Sequence, residues 1–176
     1  MYKNCKTPRS EARQLEFQNT LLEMLKKQKF EDITIVALCQ QMAITRKPFY
    51  KYFDSLEDVL YAILDKELTK GFLHWQYKLE IKEFFDYWHE RKWLLDLLQE
   101  NNLGDMLVNR SIYVSLYDIP IQNYSIMDMK YTGWISAIIS VLIVWHRGGM
   151  KQSSKEMEEV ICDMFQFDIE EVNKNR

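Results

Sequence analysis

The chain has 176 residues, 47% apolar, 14% aromatic and 28% charged, with a formal net charge of -3. That apolar share excludes a disordered chain, and the length fits one domain or two small ones. Five glycines and three prolines are too few for a turn-rich sheet protein, so an all-α fold is expected. Cys5, Cys39 and Cys162 are odd in number and far apart, which implies neither a disulfide framework nor a metal site. No apolar run precedes residue 20, so no signal peptide is read. The longest apolar stretch, "WISAIISVLIVW" at 134–145, is too short for a bilayer. A cytoplasmic chain without a membrane partner is the expectation. Residues 1–53 hold ten Lys/Arg against five Asp/Glu, whereas residues 54–176 hold thirteen against twenty-one. A basic head on an acidic body points to a polyanion bound at one end.

Residues 1–8 read as a frayed arm. From Ser10, Phe17, Leu21, Met24 and Leu25 recur with helical spacing, which predicts a first helix ending near Gln28. Thr34 is placed to cap a second helix through Met42. Thr45 is placed to cap a third, with Pro48 in its first turn, where no intrahelical N–H bond is lost. Phe49 and Phe53, four apart, face inward. "DSLED" at 54–58 is a capping signature, with Ser55 as cap and Asp58 three residues on, ahead of the apolar Val59, Leu60, Ile63 and Leu64. Two helices joined near His89 to Lys92 follow, then one stopped near Pro120, then a long helix from Met127 to Arg147 ended by "RGGM". Ser153 or Ser154 caps the last.

Three short helices with a turn before the third describe a helix-turn-helix, whose third helix lies in the major groove of DNA. Thr45, Arg46 and Lys47 stand at the start of that helix, where backbone N–H groups also attract phosphate. Tyr50, Lys51 and Tyr52 are placed to grip phosphates, and Arg46 or Lys47 to reach guanine edges. The segment from Phe17 to Leu64 strongly resembles the N-terminal domain of TetR-family transcriptional regulators. The resemblance rests on Thr34, the Leu38–Cys39 pair, Thr45, the "FY-x-x-F" block of Phe49, Tyr50 and Phe53, and Ser55. It implies that Thr34, Tyr50 and Tyr52 touch phosphate while Arg46, Lys47 and Pro48 face the bases. The family usually has glycine at the position of Ala43, so the turn is either strained or different here. It usually has lysine at Leu56, so one phosphate contact is missing. It commonly has a glycine ahead of Phe30, where this chain reads "KQK".

The phrase from Trp134 to Phe165 resembles short members of the same family, in which the last two helices pair across a two-fold axis. Ile135, Ile138, Ile139, Leu142, Ile143 and Trp145, with a second stripe of Ile161, Met164, Phe165 and Ile169, are too apolar for one side of a monomer helix and are expected at a dimer interface. A homodimer sets two recognition helices one DNA turn apart on a palindromic operator. The aromatics Phe72, Trp75, Tyr77, Phe84, Phe85, Tyr87, Trp88 and Trp93, with Met106, Tyr113 and Tyr117 on the far side, are candidates for a small-molecule effector pocket. His74, His89 and His146 lack metal spacing. Nucleotide-binding and hydrolase motifs are absent, so neither catalytic residues nor a cofactor are expected.

The expectation is an all-α chain. Residues 1–53 form a DNA-binding head, and residues 54–176 form an effector-binding and dimerisation domain connected by the fourth helix. Repression relieved by a ligand is what the resemblance implies. An activator, or an interaction module of the same fold without specific DNA binding, is the alternative.

Overall fold

The computed structural model describes residues 2–3, 7–72, 80–115 and 125–165. Among these, every regular element is helical: α1 (Pro8–Leu25), a 3-10 turn (Phe30–Asp32), α2 (Ile35–Gln41), α3 (Lys47–Tyr50), α4 (Leu56–Phe72), α5 (Ile81–Glu90), α6 (Lys92–Glu100), α7 (Gly104–Ser115), α8 (Ile126–Arg147) and α9 (Ser154–Phe165). No helix among the described residues is long and apolar enough to cross a membrane. The chain divides into two compact units, Met1–Lys66 and Glu67–Arg176. The first runs past residue 53 because the start of α4 belongs to it. Tyr2 Oη donates to Asp65 Oδ2 at 2.7 Å, closing that unit from its N-terminal end.

Helix starts follow their side chains. Thr7 and Ser10 form a reciprocal capping box, and Pro8 occupies the first turn of α1. Pro8 is therefore the start of a helix and not part of a frayed arm. Ser55 accepts from the Asp58 N–H at 3.3 Å, while Asp58 reaches back one residue further than expected, to the Asp54 N–H at 3.0 Å. Ser125 with Asp128 and Ser153 with Glu156 close capping boxes on α8 and α9. Both carboxyls are held below their ordinary values by those serine bonds.

Three helices end alike. At α2 the Ala43 N–H donates to Gln40 O and the Ile44 N–H to Cys39 O, both at 3.0 Å. At α6, Asn102 and Leu103 donate to Gln99 and Leu98; at α8, Gly149 and Met150 donate to His146 and Trp145. This is the Schellman pattern, which satisfies the last carbonyls by placing one residue in the left-handed region. Those residues are Ala43, Asn102 and Gly149, with φ of 52°, 57° and 85°.

In the first unit Phe17, Leu21, Leu38, Phe49, Phe53, Val59, Leu60 and Leu64 are fully buried. In the second, α5 packs on α9 and α7 on α8. Phe85 meets Trp145 edge-on at 5.4 Å, and Ile81, Trp88, Leu94, Ile139, Leu142 and Ile161 are buried. At the end of α4, Tyr87 Oη (2.7 Å) and Arg91 Nε (2.8 Å) both donate to Glu67 Oε2, and the Arg91 guanidinium lies 3.5 Å over the Tyr87 ring.

Burial pushes the Glu67 carboxyl up, but the bonds from Tyr87 and Arg91 outweigh it and hold the group below its ordinary 4.5. A depressed carboxylate stabilises the fold fully above its unfolded pKa and loses that contribution as pH falls through the folded one. Glu67→Gln is therefore expected to reduce stability by about 1–2 kcal/mol at pH 7. The deficit should shrink towards pH 3, as read by urea unfolding at both pH values.

Candidate functional site

α2, the turn at Ala43 and α3 form a unit whose sequence explains its geometry. Thr34 caps α2 by accepting from the Ala37 N–H at 3.1 Å. The buried Leu38 and Cys39 hold α2 to the core. Of the two possibilities for the turn, the strained one is realised: Ala43 is left-handed, a conformation that costs an L-residue roughly 1–2 kcal/mol.

α3 differs from expectation in its start. Its N-cap is Arg46, itself in helical conformation, and no side chain caps the helix. Thr45 does not cap it: of the two positions a cap there would serve, residues 47 and 48, the second is Pro48, which has no N–H to donate. Pro48 is the second residue of α3, within its first turn as expected. Thr45, Arg46, Lys47, Tyr50 and Lys51 are exposed, and Pro48 and Tyr52 half-buried. Arg46 and Lys47 make no ion pair among the described residues. Lys51 lies 5.7 Å over the Tyr52 ring. Phe49 and Phe53, both buried, meet Phe17 edge-on at 5.5 and 5.9 Å. The structure thus brings Thr45, Lys47, Pro48, Tyr50, Lys51 and Tyr52 together along one groove, leaves Arg46 exposed outside it, and uses the two phenylalanines as the inward anchor.

The N-terminal residues were missed as a part of this site. The Lys3 N–H donates to Tyr52 O and Lys3 Nζ to Tyr50 O, both at 2.9 Å, and Gln14 Nε2 donates to Lys3 O at 2.7 Å. Lys3 thereby covers the carbonyls at the end of α3, which have no intrahelical partner. A polar arm without periodicity carries no signal for such docking.

Cys39 is not an activated thiol. Burial pushes it up, with Arg46 opposing, and Cys39 packs beneath the turn as a small apolar residue.

In the second unit the aromatic pocket candidates separate. Phe84 and Trp88 are buried and pack together at 6.4 Å. Trp93 is exposed, and Met106 and Tyr113 are half-buried, Tyr113 under the Arg110 guanidinium at 4.0 Å. Trp75, Tyr77 and Tyr117 lie outside the described residues, as does the Phe72 side chain. A recess of about 530 Å³ lies elsewhere, among Leu95, Leu98, Asn102, Gly104, Ile143, His146 and Arg147. His146 Nε2 is 2.8 Å from Asp96 Oδ1 beside it. None of the expected aromatics among the described residues lines this recess.

The residues expected at a dimer interface fall into two groups. Ile135, Ile138, Ile139, Leu142, Trp145 and Ile161 are buried against their own chain, because α8 packs on α7 and Trp145 on Phe85. Ile143 is half-buried, Phe165 is half-buried against Trp134, and Ile169 lies outside the described residues. Met164 is exposed, in company the sequence reading did not select: Val160 on α9, and Ile126 (72%), Met129 (65%) and Val144 (68%) on α8. Ile126, Met129, Gly133, Ala137, Ser140 and Val144 follow at three- and four-residue steps and form one stripe of apolar and small residues.

Compared with protein-family models, the chain gives no match, and no curated protein matches it.

The strain at Ala43 has a direct test. Glycine removes the left-handed penalty but adds roughly 0.5–1 kcal/mol of unfolded-state entropy. Ala43→Gly is expected to stabilise the protein by about 0.5–1 kcal/mol, raising Tm by roughly 1–4 °C in a melt followed by circular dichroism.

Proposed function

We propose that this chain is a homodimeric DNA-binding transcriptional regulator of the TetR type, a repressor released by a small ligand. One observation carries the reading. A tight turn presents the start of α3 with Thr45, Arg46 and Lys47 exposed and, among the described residues, unpaired, while Phe49 and Phe53 hold its other face on Phe17. α2, the turn and α3 are then a helix-turn-helix, with α3 as the recognition helix in the major groove. Arg46 and Lys47 read base edges, with Pro48 beside them. Thr34, Tyr50, Lys51 and Tyr52 position the head on phosphates.

The dimer reading draws support from the exposed stripe of α8. Gly133, Ala137 and Ser140 allow close approach of a second helix, and Ile126, Met129 and Val144 flank them, with Val160 and Met164 on α9. An effector is assigned to the recess beside His146 and Arg147, where polar groups meet an apolar floor of Leu95, Leu98 and Ile143. Coupling needs only that the ligand prefer one spacing of the two heads, typically by roughly 1–3 kcal/mol.

Selection of the purified protein against random duplex DNA at two salt concentrations is expected to enrich a palindrome. The double variant Arg46→Ala/Lys47→Ala should lose that enrichment, with about 1–3 kcal/mol lost per base contact, and keep its helicity. No enrichment by a folded, dimeric wild type would leave the interaction-module reading in its place. Val144→Asp is expected to shift the protein to monomer in sedimentation with little change in helicity, since Val144 is exposed in the single chain.

A further inference from the structure

α1 carries cations that the reading of the head does not use. Its N-terminal half and α3 together line one open groove, with Arg9, Arg13 and Glu16 on one wall and Thr45, Lys47, Tyr50, Lys51 and Tyr52 on the other. Four cations face a single carboxylate among these lining residues. That carboxylate is already engaged: Arg13 Nη1 lies 2.6 Å from Glu16 Oε2. Arg9 is exposed and makes no ion pair among the described residues. The hydroxyls of Thr45, Tyr50 and Tyr52 likewise accept and donate nothing there. Thr7 and Ser10, by contrast, spend theirs on the cap of α1.

We propose that the α1 wall of this groove is a second track for the DNA phosphate backbone, with Arg9 as its contact and the Arg13–Glu16 pair as an internal brake on it. The proposal rests on the DNA-binding reading and extends it from α3 to α1. A polyanion fits the groove because cations lie along both walls and the α3 wall adds hydroxyl donors. Arg9 and Arg13 are one helical turn apart, about 6 Å along the axis, so both face the same side of α1. Glu16 opposes the same phosphates by charge and by holding Arg13. The pair is exposed, so separating it costs the fold little. These contacts carry no base information and act on affinity and its salt dependence alone.

The test measures anisotropy of a labelled duplex bearing the selected site across roughly 50–200 mM salt. Each phosphate contact adds about 0.9 to the slope of log affinity against log salt. Arg9→Ala is expected to reduce the slope by about 1 and weaken binding, Arg9→Lys to retain it, and Glu16→Gln to raise the slope by about 1 and tighten binding. The base preference of all three should equal that of wild type. If Arg46→Ala/Lys47→Ala abolishes selection while Arg9→Ala and Glu16→Gln leave the slope unchanged, the α1 track is wrong and the head reading survives. If wild type itself shows no salt-dependent duplex binding, both fall. Melts by circular dichroism confirm that each variant is folded.

Discussion

The Phe17–Phe49–Phe53 cluster is the contact on which the proposed DNA-reading surface depends. α3 has four residues in regular helix and no side-chain cap. A helix that short does not persist in water, because nucleation costs more than one turn of hydrogen bonds returns. Its position is set from below by three buried rings, in two edge-on pairs and one tilted pair at 5.8 Å. Such pairs are worth roughly 0.5–1.5 kcal/mol each beyond the area they bury. The Schellman turn at Ala43 fixes the entry to α3, and Lys3 covers the carbonyls at its exit. Packing on one face thereby leaves the opposite face free to carry charge.

Charge is used differently in the two units. On α5 and α6, Lys82, Arg91 and Lys92 each pair with an acid one turn away or on a neighbouring helix. These pairs offset charge in a net-acidic half. At the start of α3, Arg46 and Lys47 have no such partner among the described residues, which leaves their fields open to an external anion. An exposed surface pair contributes little to stability, so leaving a cation unpaired costs little. The groove between α1 and α3 combines both conditions. Arg9 is open, whereas Arg13 is held by Glu16.

The last two helices present apolar residues on more than one side. α8 buries Ile135, Ile138, Ile139 and Leu142 within its own chain and still exposes Ile126, Met129 and Val144. Of the three, Val144 belongs to "WISAIISVLIVW", where one stripe of a helix cannot hold so many large apolar residues. Burial in the chain takes the isoleucines, and the outward face keeps small residues at its centre. Small residues let two backbones approach closely, which is the arrangement a symmetric helix pair needs.

The sequence by itself determined that the chain is helical, where the starts of α2, α4 and α9 and the end of α8 lie, and which phenylalanines point inward. These are local matters. A serine with an acid three residues on, or two aromatics four apart, acts through bonds within one turn. Tertiary structure decided what depends on partners distant in sequence. It set which face of α8 is inside, because α7 claims the isoleucines. It also docked Lys3 on α3 and set Arg9 beside Lys47. No periodicity announces contacts made by an arm or across two helices, because their geometry arises only once the core has packed.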